Sequence, residues 1–367
     1  VSHRFWHAAR VSNASSPAVV VLAATRAEGA GAPMRVGGIS VAERAVRQLG
    51  QAAGTRVVVA SDGTIPLPAP LPANLEVQTV PDPAAAASLA AGLGAPVVGA
   101  DVVRLDRARF DGGMRVTDEP TRAAAEDAVF GALFRADLGF VARRFNKPLS
   151  VRFTRHVLVR SPITPNQITL FAAALGVLGA GLIATGRYGL VLAGFVLEHV
   201  QSVLDGCDGE LARVRFQQSK FGAWLDTFVD DVLNVLVTVA TGIGMWRAGS
   251  GAWAAAVGVA GGAMLVLSNL IIMGDMRRQR ASGDLMDMVW WFSGGKKLGE
   301  LPAGDGRPGI GTILFQLGRR DTALLLWVLF ALADQVVLVL VMATIIALAW
   351  FVASVVQLVV APRVPAR

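Results

Sequence analysis

The chain is short of charge. Only 17% of its 367 residues are Asp, Glu, Lys or Arg, while 53% are hydrophobic and the mean hydropathy is +0.53. A soluble domain carries about a quarter charged residues, so this deficit excludes an ordinary soluble protein and points to a membrane protein. Cysteine is nearly absent: Cys207 stands alone, which excludes an intrachain disulfide and leaves the redox compartment unread. There is no Cys/His cluster of the kind a structural zinc site requires. The opening "VSHRFWHAARVSNASSPAVVVLAATR" has no sustained apolar core ending in a cleavage site, so no signal peptide is expected.

The charge that is present leans basic, with a formal net charge of +7 and a sequence pI of about 10.6. In a membrane protein that excess is expected in cytoplasmic loops, where Lys and Arg set topology. Nucleic-acid binding is not expected from it. Basic side chains also favour anionic lipids and phosphate-bearing substrates.

The length suggests two units, and the composition changes near residue 135. Residues 1–135 are rich in Ala, Gly and Pro. "AVVVLAA" (18–24) suits a buried strand and is too short to span a bilayer. "TRVVVASDG" (55–63), "LEVQTV" (75–80) and "APVVGADVV" (95–103) read as further strands, with helices at 40–54 and 83–94. Alternating strands and helices predict a parallel sheet covered by helices.

Residues 136–165 form a juxtamembrane segment. Arg143, Arg144, Lys147, Arg152, Arg155 and Arg160 are interleaved there with Phe, Leu and Val, which suits an amphipathic helix in the bilayer interface. Pro162 and Pro165 interrupt it before the first span. Residues 166–367 then predict six transmembrane helices, at about 167–186, 188–211, 221–246, 251–274, 321–334 and 335–360. The last two are divided at Ala333-Asp334-Gln335. Basic residues crowd alternate loops, so both termini and the soluble domain are expected on the cytoplasmic side of the cell (inner) membrane.

The acids are few, yet "DGCDGELARVRFQQSKFGAWLDTFVDD" (205–231) holds five aspartates at a span edge. Asp205 and Asp208 are three apart and share a helical face; Asp226 and Asp230 are four apart and share a face of the next helix. Intramembrane acids are expensive and mark functional sites. Carboxylates converging there repel one another and call for cations. Oxygen ligands in this number suit Mg²⁺, Mn²⁺ or Ca²⁺. Gly209 and Ala212 permit close approach of a backbone or ligand. Arg213 can grip a phosphate, and Ser219 and Gly222 open the next helix, where N–H groups meet anions. Together these make a pyrophosphate site. Two metals could stabilise both oxygens of a phosphoryl displacement, or one carboxylate could deprotonate an attacking hydroxyl. Asp231 falls off the Asp226/Asp230 face and is ancillary. An alternative from another class is a cation transporter, though a pore does not require Gly209, Ala212 and Arg213 at fixed offsets.

The run Asp205-x2-Asp208-Gly209-x2-Ala212-Arg213-x8-Gly222-x3-Asp226-x3-Asp230 resembles the complete signature of the CDP-alcohol phosphotransferase family. "SPITPNQIT" (161–169) resembles the segment that opens that family's first span. The resemblance implies a six-helix membrane domain, usually a homodimer. It passes a phospho-alcohol from a CDP-alcohol to an acceptor hydroxyl, on a phosphorylated or a lipid partner, and releases CMP. It implies that Asp205, Asp208, Asp226 and Asp230 hold two divalent ions, Mg²⁺ or Mn²⁺, with Asp230 also the general base. Asn166, Gln167, Thr169, Gly209, Ala212, Arg213, Ser219 and Gly222 would hold the CDP portion.

Two basic clusters are left over. Arg277, Arg278 and Arg280 follow the fourth span, and Arg319 and Arg320 precede the fifth. Either set could signal topology or receive an acceptor's phosphate. The N-terminal part resembles a sugar-phosphate nucleotidyltransferase. "VLAATRAEGAGAPMRVGGISVAERAVRQL" parallels its opening strand, Gly-rich loop and helix, and Asp101 stands in its metal-ligand position. Such domains are fused to this membrane domain in the inositol-phosphate cytidylyltransferase/di-myo-inositol-phosphate phosphate synthase family. The chain departs from the active pattern, because Met34-Arg35 replaces the expected lysine. A degenerate domain is expected, with the bifunctional enzyme as the alternative.

Overall fold

The computed structural model describes residues 19–24, 34–50, 56–61, 63, 65, 67, 71–80, 83–93, 95, 97–99, 102–103, 113–134, 139–279, 288–291 and 320–360. They belong to two units. One is residues 1–136 with 153–162 and 210–217; the other is residues 137–152, 163–209 and 218–367.

The first unit is built on a four-stranded sheet. Its strands are β1 (Val19–Ala24), β4 (Arg56–Ser61), β5 (Leu75–Thr79) and β6 (Val97–Gly99), in the order β5-β4-β1-β6 and all parallel. "RVVVAS" reads as one apolar run because β4 is covered on both faces. Val57 and Val59 pack with Ala42, Ala45, Val46 and Leu49 of helix α1 (Val41–Gly50). Val58 and Ala60, pointing the other way, pack with Ala86 and Ala90 of α2 (Pro83–Leu93).

Two short antiparallel pairs accompany the sheet: β2 (Arg35–Val36) with β3 (Ile39–Ser40), and β7 (Val102–Val103) with β8 (Met114–Arg115). The β2–β3 turn is Gly37-Gly38, at φ of 62° and 82°. Two successive positive φ values are what a tight two-residue hairpin demands. Helix α3 (Glu119–Gly131) is capped by Asp118, whose Oδ1 accepts from Thr121 N–H at 2.9 Å. Residues 153–162 and 210–217 are tied together in this unit. Thr154 Oγ1 donates to Glu210 Oε2 at 2.7 Å, and Arg215 Nη2 donates to the carbonyls of Leu158, Val159 and Ser161 at 3.1, 3.0 and 2.7 Å.

The second unit is helical. A π-helical turn (Ala142–Asn146) leads into α4 (Lys147–His156). Next come α5 (Pro165–Ile183), α6 (Tyr188–Arg215), α7 (Lys220–Met245), α8 (Ala252–Gln279), α9 (Arg320–Leu332) and α10 (Val336–Val360). Pro165 stands in the first turn of α5, where its missing N–H costs nothing, and Thr164 N–H donates to Gln167 Oε1 at 2.9 Å. Helix α9 ends at Leu332 and α10 begins at Val336, with Asp334 at φ 57° between them, so the long apolar run divides at Ala333–Gln335.

Five helices are long and apolar enough to cross a bilayer: Pro165–Ile183, Tyr188–Arg215, Lys220–Ser250, Ala252–Gln279 and Val336–Val360. With their outward Leu170, Phe171, Val177, Ile345 and Val352 side chains, they mark an integral membrane protein. Helix α9 has 13 residues, about 20 Å at the helical rise.

Small residues let these helices touch. A Cβ at Gly242 of α7 would lie 2.6 Å from Ala254 O and 2.8 Å from Gly258 Cα of α8. Likewise a Cβ at Gly194 of α6 would lie 2.6 Å from Gly179 O of α5. In lipid, where apolar burial gives little drive, such approach supplies the packing. Larger side chains fill the space further along. Phe195 meets Trp327 edge-on at 6.3 Å among Ile183, Val237 and Val339.

Overpacking the α7–α8 contact should destabilise the helical unit. Gly242→Leu is expected to cost about 1–3 kcal/mol and to lower the melting temperature of the detergent-solubilised protein. Gly181→Leu serves as the control, since nothing lies within 4 Å of a Cβ there. Equal melting of the two variants would contradict the packing account.

Candidate active site

The acid-rich stretch becomes two helices joined by a short turn. Asp205 and Asp208 lie on α6, and Asp226 and Asp230 lie on α7. One carboxylate oxygen from each of Asp205, Asp208 and Asp226 falls within 4.8 Å of the others. Among the described residues, this is the group arranged to hold a metal ion.

Asp208 is the best-anchored member. It is 7% exposed. Its Oδ2 accepts from Thr169 Oγ1 of α5, and its Oδ1 accepts from Gly209 N–H. Pro165 O, 3.3 Å from the same hydroxyl, is the alternative acceptor for its one hydrogen. Asp205 and Asp226 differ: Oδ1 of each is buried without a hydrogen-bond partner. A buried unpaired carboxylate oxygen is costly, and three carboxylates this close repel one another. An oxygen-only donor set with unsatisfied buried oxygens fits a hard divalent cation.

The entrance to α7 completes the nearby surface. Ser219 is its N-cap, with Oγ accepting from Gly222 N–H at 2.9 Å. A Cβ at Gly222 would stand 3.0 Å from both Ser219 Oγ and Asn166 Oδ1. Glycine there keeps Asn166 and the helix N-terminus close. Gln167 has a local task, since its side chain caps the start of α5. Ala212 and Arg213 lie in the last turns of α6, and Arg213 is half-buried.

Asp230 stands apart from the three-carboxylate group. Its Oδ1 forms an ion pair with Arg320 Nη1 at the start of α9, and Arg320 Nη2 donates to Gln201 Oε1 at 2.8 Å. Of the basic residues singled out for an acceptor, Arg320 is therefore beside an acid-motif carboxylate. Arg277 and Arg278 are exposed on the last turn of α8. Arg280, Arg319 and Asp101 lie outside the described residues.

Sequence reasoning passed over Glu198 and Gln201. Both are buried, at 1% and 0% exposure. Glu198 Oε1 and Gln201 Nε2 lack hydrogen-bond partners, and Glu198 fits because Gly179 has no Cβ, which would stand 2.9 Å from Oε1. The signal was in "FVLEHVQSVLDGCD": positions 198, 201, 205 and 208 recur at helical spacing and continue the aspartate stripe upstream. Cys207 points elsewhere. It is fully buried, and its Sγ lies 3.7 Å from Ser150 O.

Known proteins share this stretch. The family model described as CDP-alcohol phosphatidyltransferase matches residues 162–292. A protein of Rubrobacter xylanophilus named bifunctional IPC transferase and DIPP synthase is 38% identical over 120 residues, 33% of this chain and 27% of that one. The Aquifex aeolicus protein of the same name is 36% identical over 114 residues, covering 31% of this chain and 25% of its own length. The inner membrane protein YnjF of Escherichia coli is 40% identical over 91 residues, 25% of this chain and 42% of that protein. The matched stretch thus spans about a quarter of the two bifunctional relatives. Residues 162–292, which contain the full aspartate signature, are thus similar to the CDP-alcohol phosphatidyltransferase family.

Proposed function

We propose that this protein transfers a phospho-alcohol group from a CDP-alcohol to an acceptor hydroxyl and releases CMP. The observation that carries the reading is the Asp205–Asp208–Asp226 convergence, with its unpartnered buried oxygens, inside the family-matched segment. In the reaction the acceptor oxygen bonds to the phosphorus that bears the alcohol. The bond from that phosphorus to the oxygen of CMP breaks, and the hydroxyl proton passes to a carboxylate.

Asp205, Asp208 and Asp226 would hold a divalent cation, with Asp230 completing the set for two ions, Mg²⁺ before Mn²⁺. Such ions, when bound, neutralise the pyrophosphate and the departing CMP oxygen. The side chains do the rest. Thr169 and Gly209 N–H keep the Asp208 carboxylate aimed. Arg213 holds phosphate, while Asn166, Ser219 and the N-terminus of α7 receive the remainder of the CDP portion, with Gly209, Ala212 and Gly222 leaving it room. Asp230 takes the acceptor's proton. Its Arg320 partner, fixed by Gln201, sets the direction of that carboxylate and lies where an acceptor's phosphate would arrive; Arg277, Arg278 and Arg319 are the other candidates for that contact.

The same reading includes a layout of residues 1–135 as an α/β domain, 136–165 as a juxtamembrane amphipathic segment and 166–367 as a six-helix membrane domain with α9 as the fifth span. Both termini and the site face the cytoplasm, in line with the basic residues of alternate loops, and the chain forms a homodimer. A second reading adds synthesis of the CDP-alcohol by the N-terminal domain. It is favoured by the two activities in the names of the Rubrobacter and Aquifex relatives and opposed by Met34-Arg35 in the place of lysine.

Four outcomes test this. Asp230→Asn is expected to bind CDP-alcohol normally but to lose about 10²- to 10⁴-fold in CMP release; Asp208→Ala should lose metal-dependent binding as well. Wild-type turnover in either variant overturns the assigned roles, and a cation transporter would release no CMP at all. Thr169→Val removes the hydroxyl that aims Asp208 and should weaken Mn²⁺ binding, followed by electron paramagnetic resonance, by about 10- to 100-fold. Incubating the protein with CTP and an alcohol phosphate should yield no pyrophosphate; its formation would favour the bifunctional reading.

A further inference from the structure

The end of α6 is held by a residue far away in sequence. Gln217 N–H donates to Ala212 O at 2.8 Å, and Phe216 N–H approaches Arg213 O at 3.5 Å. This pair of bonds closes a helix by placing one residue in the left-handed region, where glycine usually stands. Here that residue is Phe216, at φ 55°. A side chain with a Cβ is strained there. Among the described residues, the other non-glycine with positive φ is Asp334.

Arg44 of α1 meets this strained end twice. It is 3% exposed. Its Nη2 donates to Val214 O at 2.7 Å and to Val36 O at 2.9 Å. The guanidinium also lies over the Phe216 ring, 5.3 Å from its centre, within cation–π range. Val214 O is among the last carbonyls of α6, which have no partner inside the helix and carry the negative end of its dipole. Burial pulls the Arg44 guanidinium down to about 10, with Glu126 and Glu43 opposing, so it is still charged at neutral pH. The β2–β3 turn makes the approach possible. A Cβ at Gly37 would fall 2.3 Å from Val214 Cγ1 and 2.8 Å from Arg44 Nη2.

We propose that Arg44 is a positioning residue for the transfer reaction: by bonding Val214 O and stacking on Phe216 it fixes residues 212–217 and thereby the phosphate-holding Arg213. This rests on the reading of Arg213 given above. Arginine suits the contact because its planar guanidinium bonds both carbonyls through Nη2 while lying over the ring, and a lysine ammonium that reached the carbonyls would have no flat face for the ring.

The test uses the full chain in detergent, with two readouts. Arg44→Ala is expected to raise the KM for CDP-alcohol by roughly tenfold to a hundredfold, with a smaller change in kcat, and to speed hydrogen exchange at the Phe216 and Gln217 amides. Arg44→Lys should fall between. Phe216→Gly adopts the left-handed conformation without strain, so adding it to Arg44→Ala should restore both exchange protection and KM towards wild type. An unchanged KM and exchange in Arg44→Ala overturns the proposal. So does a double variant that fails to recover, because Arg44 would then serve only general stability. Exchange is read without substrate. If the wild-type protein releases no CMP from any CDP-alcohol, the reaction reading fails, while the Arg44–Phe216 contact is still judged by exchange and its recovery.

Discussion

Like charges do not gather in a membrane protein unless something compensates them. Three carboxylates within 4.8 Å of one another impose that condition on everything around them. Asp208 meets it with hydrogen bonds from Thr169 and Gly209, and Asp230 meets it with a guanidinium. Asp205 and Asp226 each keep a buried oxygen with no such partner. Helices α5, α6, α7 and α9 each contribute a polar group to these contacts: Thr169, Asp205 and Asp208, Asp226 and Asp230, and Arg320.

Much of this was legible before any coordinates. Helix ends with local causes were readable: Pro165 at the start of α5, Ser219 at the start of α7, and the break at residues 333–335. The aspartate spacing was readable too, because a helix converts three- and four-residue intervals into one face. What could not be read depended on partners distant in sequence. Asp230 and Arg320 are 90 positions apart, and Arg44 and Val214 are 170 apart. In "SVAERAVRQLGQAAG" Arg44 looks like any polar residue on a helix. Only the tertiary fold shows that it is buried and that Gly37 exists to admit it. Glu198 and Gln201 were legible in principle, since they extend the aspartate stripe, but polar residues upstream of a strong motif are easily taken as part of the span.

Glycine is used in two ways. Gly37 and Gly38 supply a backbone conformation, with positive φ at both, and leave room as well. Gly179, Gly194, Gly242 and Gly258 have ordinary helical backbones and supply space alone. The same residue type therefore responds to different substitutions: a positive-φ position resists any side chain, whereas a packing position is sensitive mainly to size.

Cys207 has a practical consequence. It is the one cysteine in the sequence, and its side chain is fully buried between α6 and Ser150. Water-soluble thiol reagents meet no exposed native target. A cysteine introduced at an exposed position, such as Arg187 or Lys220, would therefore label alone in intact cells or inverted vesicles. The buried thiol makes the natural chain its own background for mapping which loops face each side of the membrane.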